Sequence, residues 1–276
     1  MKRKIMLYLF FLYGLLTKKV NGSYVSAIIT KTKNGLFAVD PEDMAVGRQL
    51  RMKGEYGFDE IDRLSPYLNS HSRALIVGAH IGTLAIPISR MCKEVVAIEA
   101  NPNTYELLMQ NIALNCVNNC QTINIAANNT AEKIKFLLSR TNSGGSKRVP
   151  KQKKYIYYYD DPEEIIVDSV SLDDCLEDKK FDVVVMDIER SEYFALQGMQ
   201  EILSNTQLLA IEFLPHHLEN VSGVNVLDFV SLLKPHFSKL TIPTKKIAVN
   251  SEDFASTLSE MYDKGQEDGA ILFEKI

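Results

Sequence analysis

Asp187, Glu189 and Glu192 place three acids within six residues, directly behind the apolar run Phe181–Asp187 (FDVVVMD). In a doubly wound sheet that position is the carboxyl edge at the topological switch point, where ligands bind, so Asp187 is read as facing the cleft. Glu192 also suits a helix N-terminus, where an acid offsets the dipole. A second constellation is Gly78-Ala79-His80-Ile81-Gly82 after the apolar segment Ala74–Val77, with Glu99 closing the next apolar run, Val95–Ile98. Glycines after a first strand give backbone room and helix N–H donors. An acid after the second strand accepts hydrogen bonds from two ribose hydroxyls, and together they make a nucleotide-binding half-site. Pro215-His216-His217 follows the run Leu208–Phe213. Adjacent histidines rarely share one metal, but one of them beside an active edge suits a general base.

These groups need elements to hold them. Leu84, Ile86, Ile88 and Met91 fit a helix packed on a sheet, and Asn101-Pro-Asn-Thr104 caps a helix to about Asn115. Thr122–Ala126 reads as a third strand, and Ala127-Asn128-Asn129 either lies near a nucleotide base or is an Asn-rich turn. Lys133–Leu138 and Glu163–Ser171 read as strands, Tyr193–Leu203 as a helix, and Leu240–Val249 and Ala270–Ile276 as late strands. The fold class is α/β, a doubly wound, Rossmann-like sheet.

The flanks are distinct. Residues 1–22 hold a basic start and the apolar run Ile5–Leu16, twelve residues against the about 20 of a membrane span. That fits a signal segment, an anchor or a packed helix, and residues 5–16 suggest membrane association of an enzyme facing the cytosol. Residues 23–69 read as an N-terminal cap: a strand or hairpin over Tyr24–Gly35, a helix from Asp40 to Gln49, and a helix over Glu60–Leu68. Arg48, Arg51 and Tyr56 there read as surface. Residues 70–276 form the main domain with a basic insertion at 139–160. Its cations beside Tyr155–Tyr159 suit either an anionic or sugar ligand or a solvated loop. A net charge of −4 argues against a general nucleic-acid surface. Cys92, Cys116, Cys120 and Cys175 have no zinc spacing and read as small buried hydrophobes, with Cys116 and Cys120 as an alternative redox pair.

The ordered motifs resemble the FkbM family of class I S-adenosylmethionine-dependent methyltransferases. They are Ile76-Val-Gly-Ala-His-Ile-Gly82, Ile98-Glu-Ala-Asn-Pro102 with Asn111-Ile-Ala-Leu-Asn115, Ser171-Leu-Asp173, and Val185-Met-Asp-Ile-Glu-Arg-Ser-Glu192. Ile76, Met186 and Arg190 stand where that family has aspartate, lysine and glycine. The resemblance implies a seven-stranded sheet with an antiparallel last strand, and S-adenosyl-L-methionine as cofactor. Its implied binding set is Gly78, Ala79, His80, Gly82, Glu99, Ala100, Asn101, Ala127, Asn128 and Asp187. Gly78 and Gly82 would approach the methionine part, Glu99 the ribose, Ala127 and Asn128 the adenine, and Asp187 the sulfonium. The implied reaction is O-methylation of a sugar or another small or glycan acceptor, with Asp187, Glu189 or His216 as base. The alternatives are a catalytically inactive binding protein on the same frame and an NAD-dependent oxidoreductase, though G-x-G-x-x-G is absent.

Overall fold

The chain opens with α1 (Lys2–Asn21), then a hairpin of β1 (Ile28–Lys31) and β2 (Leu36–Val39), then two short helices, α2 (Val46–Lys53) and α3 (Phe58–Leu64). The computed structural model describes residues 2–189, 191–215, 218 and 223–275. Asn34-Gly35 makes the hairpin turn rather than closing a unit that starts at Tyr24, and Gly35 sits at φ +139°. The helix expected from Asp40 starts only at Val46. Asp40 and Asp43 instead fold the chain into turns, their carboxylates accepting from Glu42 N (2.7 Å) and Ala45 N (2.8 Å).

Next come β3 (Arg73–Val77), α4 (Ala85–Ser89), β4 (Glu94–Glu99), α5 (Pro102–Leu114) and β5 (Cys120–Asn124). The chain then leaves the main sheet for a second one built from β6 (Ala126–Ala127), β7 (Glu132–Leu138), β8 (Lys147–Arg148) and β9 (Glu163–Val170). The stretch between β7 and β9 is held shut by Asp160, whose buried carboxylate accepts from Ser139 Oγ (2.7 Å), Arg140 N (2.8 Å) and Thr141 N (3.0 Å). It is not a free loop. Then follow α6 (Leu172–Cys175), β10 (Val183–Met186), α7 (Glu192–Gln197), α8 (Gln200–Ser204) and β11 (Leu208–Phe213). Tyr193–Leu203 is therefore two helices, not one. The break falls at Gly198, where a β-carbon would collide with the carbonyl oxygen of Asn128, and Asp173 caps α8 by accepting from Glu201 N and Ile202 N. β12 (Lys239–Ile242), β13 (Ile247–Asn250) and β14 (Asp268–Glu274) complete the described strands. The single strand expected over Leu240–Val249 is a hairpin, because Pro243 opens a 3-10 turn and Lys246 takes a left-handed conformation.

The main sheet runs β13-β12-β14-β11-β10-β3-β4-β5. β5, β4, β3, β10 and β11 are parallel neighbours and β14 is antiparallel to β11 and β12. That is the expected seven-stranded sheet, its last strand antiparallel, with β13 added at one edge. Both faces are buried, so alternate residues of one strand enter different cores. Leu75 and Val77 pack with Val184, Met186, Leu196 and Phe229, whereas Ala74 and Ile76 pack with Val185, Leu64, Ile88 and Leu108. Cys92 is buried as expected, but Cys116 is exposed, and all four cysteines are free.

The hairpin β1–β2 is docked on α5 by the two asparagines of the Asn111…Asn115 motif. Asn111 is fully buried; it accepts from Ala38 N (2.6 Å) and donates to the carbonyls of Ala38 (3.2 Å) and Ile81 (2.9 Å). One helical turn later, Asn115 accepts from Leu36 N (3.0 Å) and donates to Leu36 O (2.7 Å). A turn of helix rises about 5.4 Å and two strand residues about 6.6 Å, so the i, i+4 pair matches an i, i+2 pair on the strand.

Candidate active site

Register sets the site. Val77 pairs with Ile98 on one side and with Met186 on the other. The next residues of the three strands, Gly78, Glu99 and Asp187, therefore emerge together at one carboxyl edge. A cleft opens there, lined by Ile76 to His80, Thr83, Leu84, Glu99, Ala100, Val185 and Asp187 to Glu189. Gly78 sits at φ +91°, and a β-carbon on it would collide with the Asp187 carbonyl oxygen. Only glycine fits that contact. A smaller adjoining slot is lined by Ala100, Ile125 to Ala127, Ile188 and Ser191.

The far wall comes from elsewhere in the chain. Tyr56 and Glu60, beside and on α3, line the cleft together with Val46, Ser143, Gly144 and Ser146. Buried Asn34 ties this wall to the glycine turn, donating to Tyr56 O (2.7 Å) and Thr83 O (3.1 Å) and accepting from Tyr56 N (3.0 Å). His80, at φ +52°, has Nε2 2.6 Å from Ser143 Oγ, and Ser143 Oγ donates to Asp43 Oδ2 (2.7 Å). A carboxylate only accepts, so the serine proton points at Asp43, His80 Nε2–H donates to Ser143, and Nδ1 is left as an acceptor. Burial lowers the His80 pKa against the pull of Asp43, Glu99 and Glu189, so the ring is neutral at pH 7.

The acids differ in their surroundings. Asp187 opens to the cleft and water reaches it. The protein enclosing it and three like charges, Glu189, Glu192 and Glu60, nevertheless raise its pKa well above the usual range. Glu189 holds φ +49° and comes within 4.0 Å of Lys147 Nζ. Two left-handed residues that are not glycine, His80 and Glu189, thus face one cleft, and such strain gathers at functional sites. Burial pushes Glu60 up to about 7, with Arg63 opposing, and Tyr56 up to about 12, with Asp187 next in effect. Among the described residues no group of acids, histidines or cysteines has metal-site geometry.

Of the residues expected at the site, Gly78, Ala79, His80, Glu99, Ala100, Asp187 and Glu189 line the cleft, and Ala127 lines the adjoining slot. Three do not line either. Gly82, at φ +93°, packs on Leu108 and Ile86. Asn101 caps α5 and donates to Ser146 Oγ (3.1 Å). Asn128 is fully buried, donating to Glu132 Oε1 (2.8 Å) and Ser169 Oγ (3.0 Å) and accepting from Arg148 (2.9 Å). Each is spent on local structure. His216, its neighbour His217, and Arg190 lie outside the described residues. Glu192 accepts from Ile188 N (3.2 Å) and so braces the turn behind the acids. Ile76 and Val185 make an apolar floor, whereas Met186 points into the core.

Tyr56 and Glu60 were missed by sequence reasoning, which left Tyr56 on the surface. Their signal, one face of a short amphipathic segment, carries no chemistry until the segment docks. Arg51 does have a structural task, donating to Asp40 O (2.9 Å) and Asp43 O (3.1 Å). Cations of the insertion are largely consumed within the protein. Arg140 pairs with Glu42 (3.0 Å) and stacks on Phe11, and Arg148 stacks on Phe194. Lys147 is buried beside Tyr157.

Glu99 is 8% exposed, and its carboxylate accepts from His80 N (2.7 Å), Asn101 N (2.9 Å) and Thr104 Oγ1 (2.9 Å). A carboxylate has about four acceptor sites, so one stays open for a hydroxyl in the cleft rather than the two expected.

Comparison with known proteins adds the family. The family described as "Methyltransferase FkbM domain" matches residues 77–263, more than half the chain. No curated protein matches. Among solved structures, the FkbM methyltransferase from Methylobacillus flagellatus KT is similar at 18% identity and a TM-score of 0.44, covering 74% of this chain; this chain spans 44% of its length. An rRNA methylase from Streptococcus thermophilus is similar at 13% identity and a TM-score of 0.46, over 79% of this chain and 95% of its own. TYW2 from M. jannaschii, solved in complex with AdoMet, is similar at 17% identity and a TM-score of 0.44, over 91% and 87%. Only the family match bears on function.

Proposed function

The chain belongs to the family of methyltransferases with the FkbM domain, and from that premise we propose that it methylates a hydroxyl of a sugar or another small or glycan acceptor. The observation that carries this is a cleft with two unlike walls. One is the sheet edge, with the glycine turn, Glu99, Asp187, Glu189 and the apolar slot; the other carries Tyr56 and Glu60.

The first wall fits S-adenosyl-L-methionine, the cofactor of this chemistry. The glycine turn at Gly78 to His80, the unused acceptor site of Glu99 and the slot beside Ala100 and Ala127 suit an amino-acid tail, a ribose and an adenine in turn. When bound, that group supplies an electrophilic methyl on a sulfonium. The chain's own work is positioning: the acids of the cleft face that methyl with negative charge and hold the acceptor oxygen in line with it. Asp187 and Glu189 line the cleft beside the glycine turn, the Asp187 carbonyl being packed on Gly78. An apolar floor at Ile76 replaces a carboxylate, leaving Glu99 as the polar anchor of that wall.

Calorimetric titration with S-adenosylmethionine tests this. Wild type is expected to bind, and Glu99→Ala to weaken binding by about 1–3 kcal/mol, through the lost charge-assisted hydrogen bond and the loosened His80 and Asn101 amides. Wild type that does not bind would shift the protein to a non-catalytic role on the same frame.

We also propose that α1 lies on an anionic membrane surface from the cytosolic side. Among the described residues no helix is long and apolar enough to cross a membrane. Yet Ile5, Met6, Leu9, Leu12, Tyr13 and Leu16 are between 42% and 59% exposed, and α1 carries Lys4, Lys18 and Lys19 and no acid. The helix touches the body at Gly14, where a β-carbon would sit 2.8 Å from Thr141 Cγ2 and 2.9 Å from Glu42 O. Co-sedimentation with phosphatidylcholine vesicles should be weak and should rise on adding phosphatidylserine. Leu9→Asp with Leu16→Asp should abolish it, since each lost apolar contact is worth about 1–3 kcal/mol. Equal recovery in the supernatant with and without vesicles would refute the surface role.

A further inference from the structure

We propose that Glu60, on α3 and ahead of the residues matched by the family, is the group that takes the acceptor's proton during methyl transfer. The proposal rests on the methyltransferase reading above and adds the base to it. An acceptor oxygen lone pair forms the new bond to the methyl carbon, the carbon–sulfur bond breaks, and its electron pair stays on sulfur. The hydroxyl proton passes to the Glu60 carboxylate and later to water.

The geometry favours Glu60 over the other groups in the cleft. It lines the cleft from the wall opposite the glycine turn, so an acceptor lying between the walls is within its reach. Among the described residues its carboxylate takes no hydrogen bond or ion pair, so its lone pairs are open to a ligand. Its rivals are committed. Asp187 is crowded by Glu189 and Glu192 as well as by Glu60, and burial with these like charges raises its pKa well above the usual range. Glu189 faces Lys147 across 4.0 Å. His80 belongs to the glycine turn and spends Nε2 on Ser143, and burial lowers its pKa, which makes the remaining Nδ1 a weaker base. Tyr56 keeps its proton to about pH 12.

Glu60 has a pKa of about 7, raised by burial and lowered by Arg63, the charged residue one helical turn away. A base needs a pKa near the working pH so that it is ionised in the resting site and still accepts a proton. Glu60 meets both demands.

Two ligands of known chemistry test this without an acceptor. S-Adenosylhomocysteine lacks the methyl, and sinefungin carries an amine in its place. With wild type, the ratio of the two affinities by calorimetry should move about tenfold in favour of sinefungin between pH 6 and pH 8, as a carboxylate ionises beside the ammonium. Taking the ratio cancels titration of His80 and of groups that touch the shared parts of both ligands. In Glu60→Gln the ratio should stay nearly flat with pH, with S-adenosylhomocysteine affinity and melting temperature near wild type, and Asp187→Asn should keep the step. A step that survives Glu60→Gln, or that is lost only in Asp187→Asn, would overturn the assignment while leaving the methyltransferase reading intact. Wild type that binds neither ligand would overturn both.

Discussion

Replacing Gly78 with alanine is expected to lower the melting temperature by about 10 °C, from a loss of roughly 3–4 kcal/mol. Two costs combine. An alanine at φ +91° is strained by about 1 kcal/mol. Its β-carbon must also displace the Asp187 carbonyl and lies 3.0 Å from Ile188 Cγ2. Both flanking strands are central and buried, so neither gives way cheaply. Gly54 supplies the control: it sits at φ +71° with nothing within 4 Å of an added β-carbon. Gly54→Ala isolates the conformational part and should cost about 1 kcal/mol in urea unfolding. If the two variants melt together, the close approach of Gly78 to Asp187 is not what requires glycine. In the folded fraction of Gly78→Ala, displacement of Asp187 should also weaken S-adenosylmethionine binding at least about tenfold, since a tightly built cleft loses its fit when one edge moves.

Asn111→Ala should destabilise the protein by about 2–4 kcal/mol, the second large effect. The side chain is fully buried and makes three hydrogen bonds, so truncation leaves Ala38 N, Ala38 O and Ile81 O without those partners. Unpaired buried backbone groups are costly. Asn115→Ala removes an equivalent pair at a more exposed place and should cost about 1 kcal/mol or less. Hydrogen exchange reads the consequence directly: the Ala38 amide should lose protection in Asn111→Ala before the amides of β3 and β4 do. Protection at Ala38 equal to wild type would show that the hairpin does not depend on Asn111. The effect reaches function because the hairpin turn carries Asn34, and Asn34 holds Tyr56 against the glycine turn. A loosened hairpin takes Tyr56 and Glu60 away from the cleft.

Much of the frame was legible because it is local. Apolar runs of four to six residues ending in glycine or an acid specify buried parallel strands, and parallel register then brings Gly78, Glu99 and Asp187 to one edge whatever the loops do. The same logic reached too far where one residue type serves two ends. Gly82, Asn101 and Asn128 have the identities a ligand site would use, yet they are consumed by helix packing, a helix cap and a buried hydrogen-bond network. Hydrogen-bonding capacity is visible in a residue's type; the partner that uses it is not.

Sequence by itself determined the doubly wound sheet, the glycine turn and the acid edge, since these follow from patterns within a few residues of each other. Only the tertiary structure decided what faces them. Tyr56 and Glu60 come from before the sheet and Ser143, whose hydroxyl donates to buried Asp43, from the insertion, and each of the three reaches the cleft through docking contacts made far along the chain. Burial, not residue type, then moves Glu60 from an ordinary surface acid to one that titrates near neutrality.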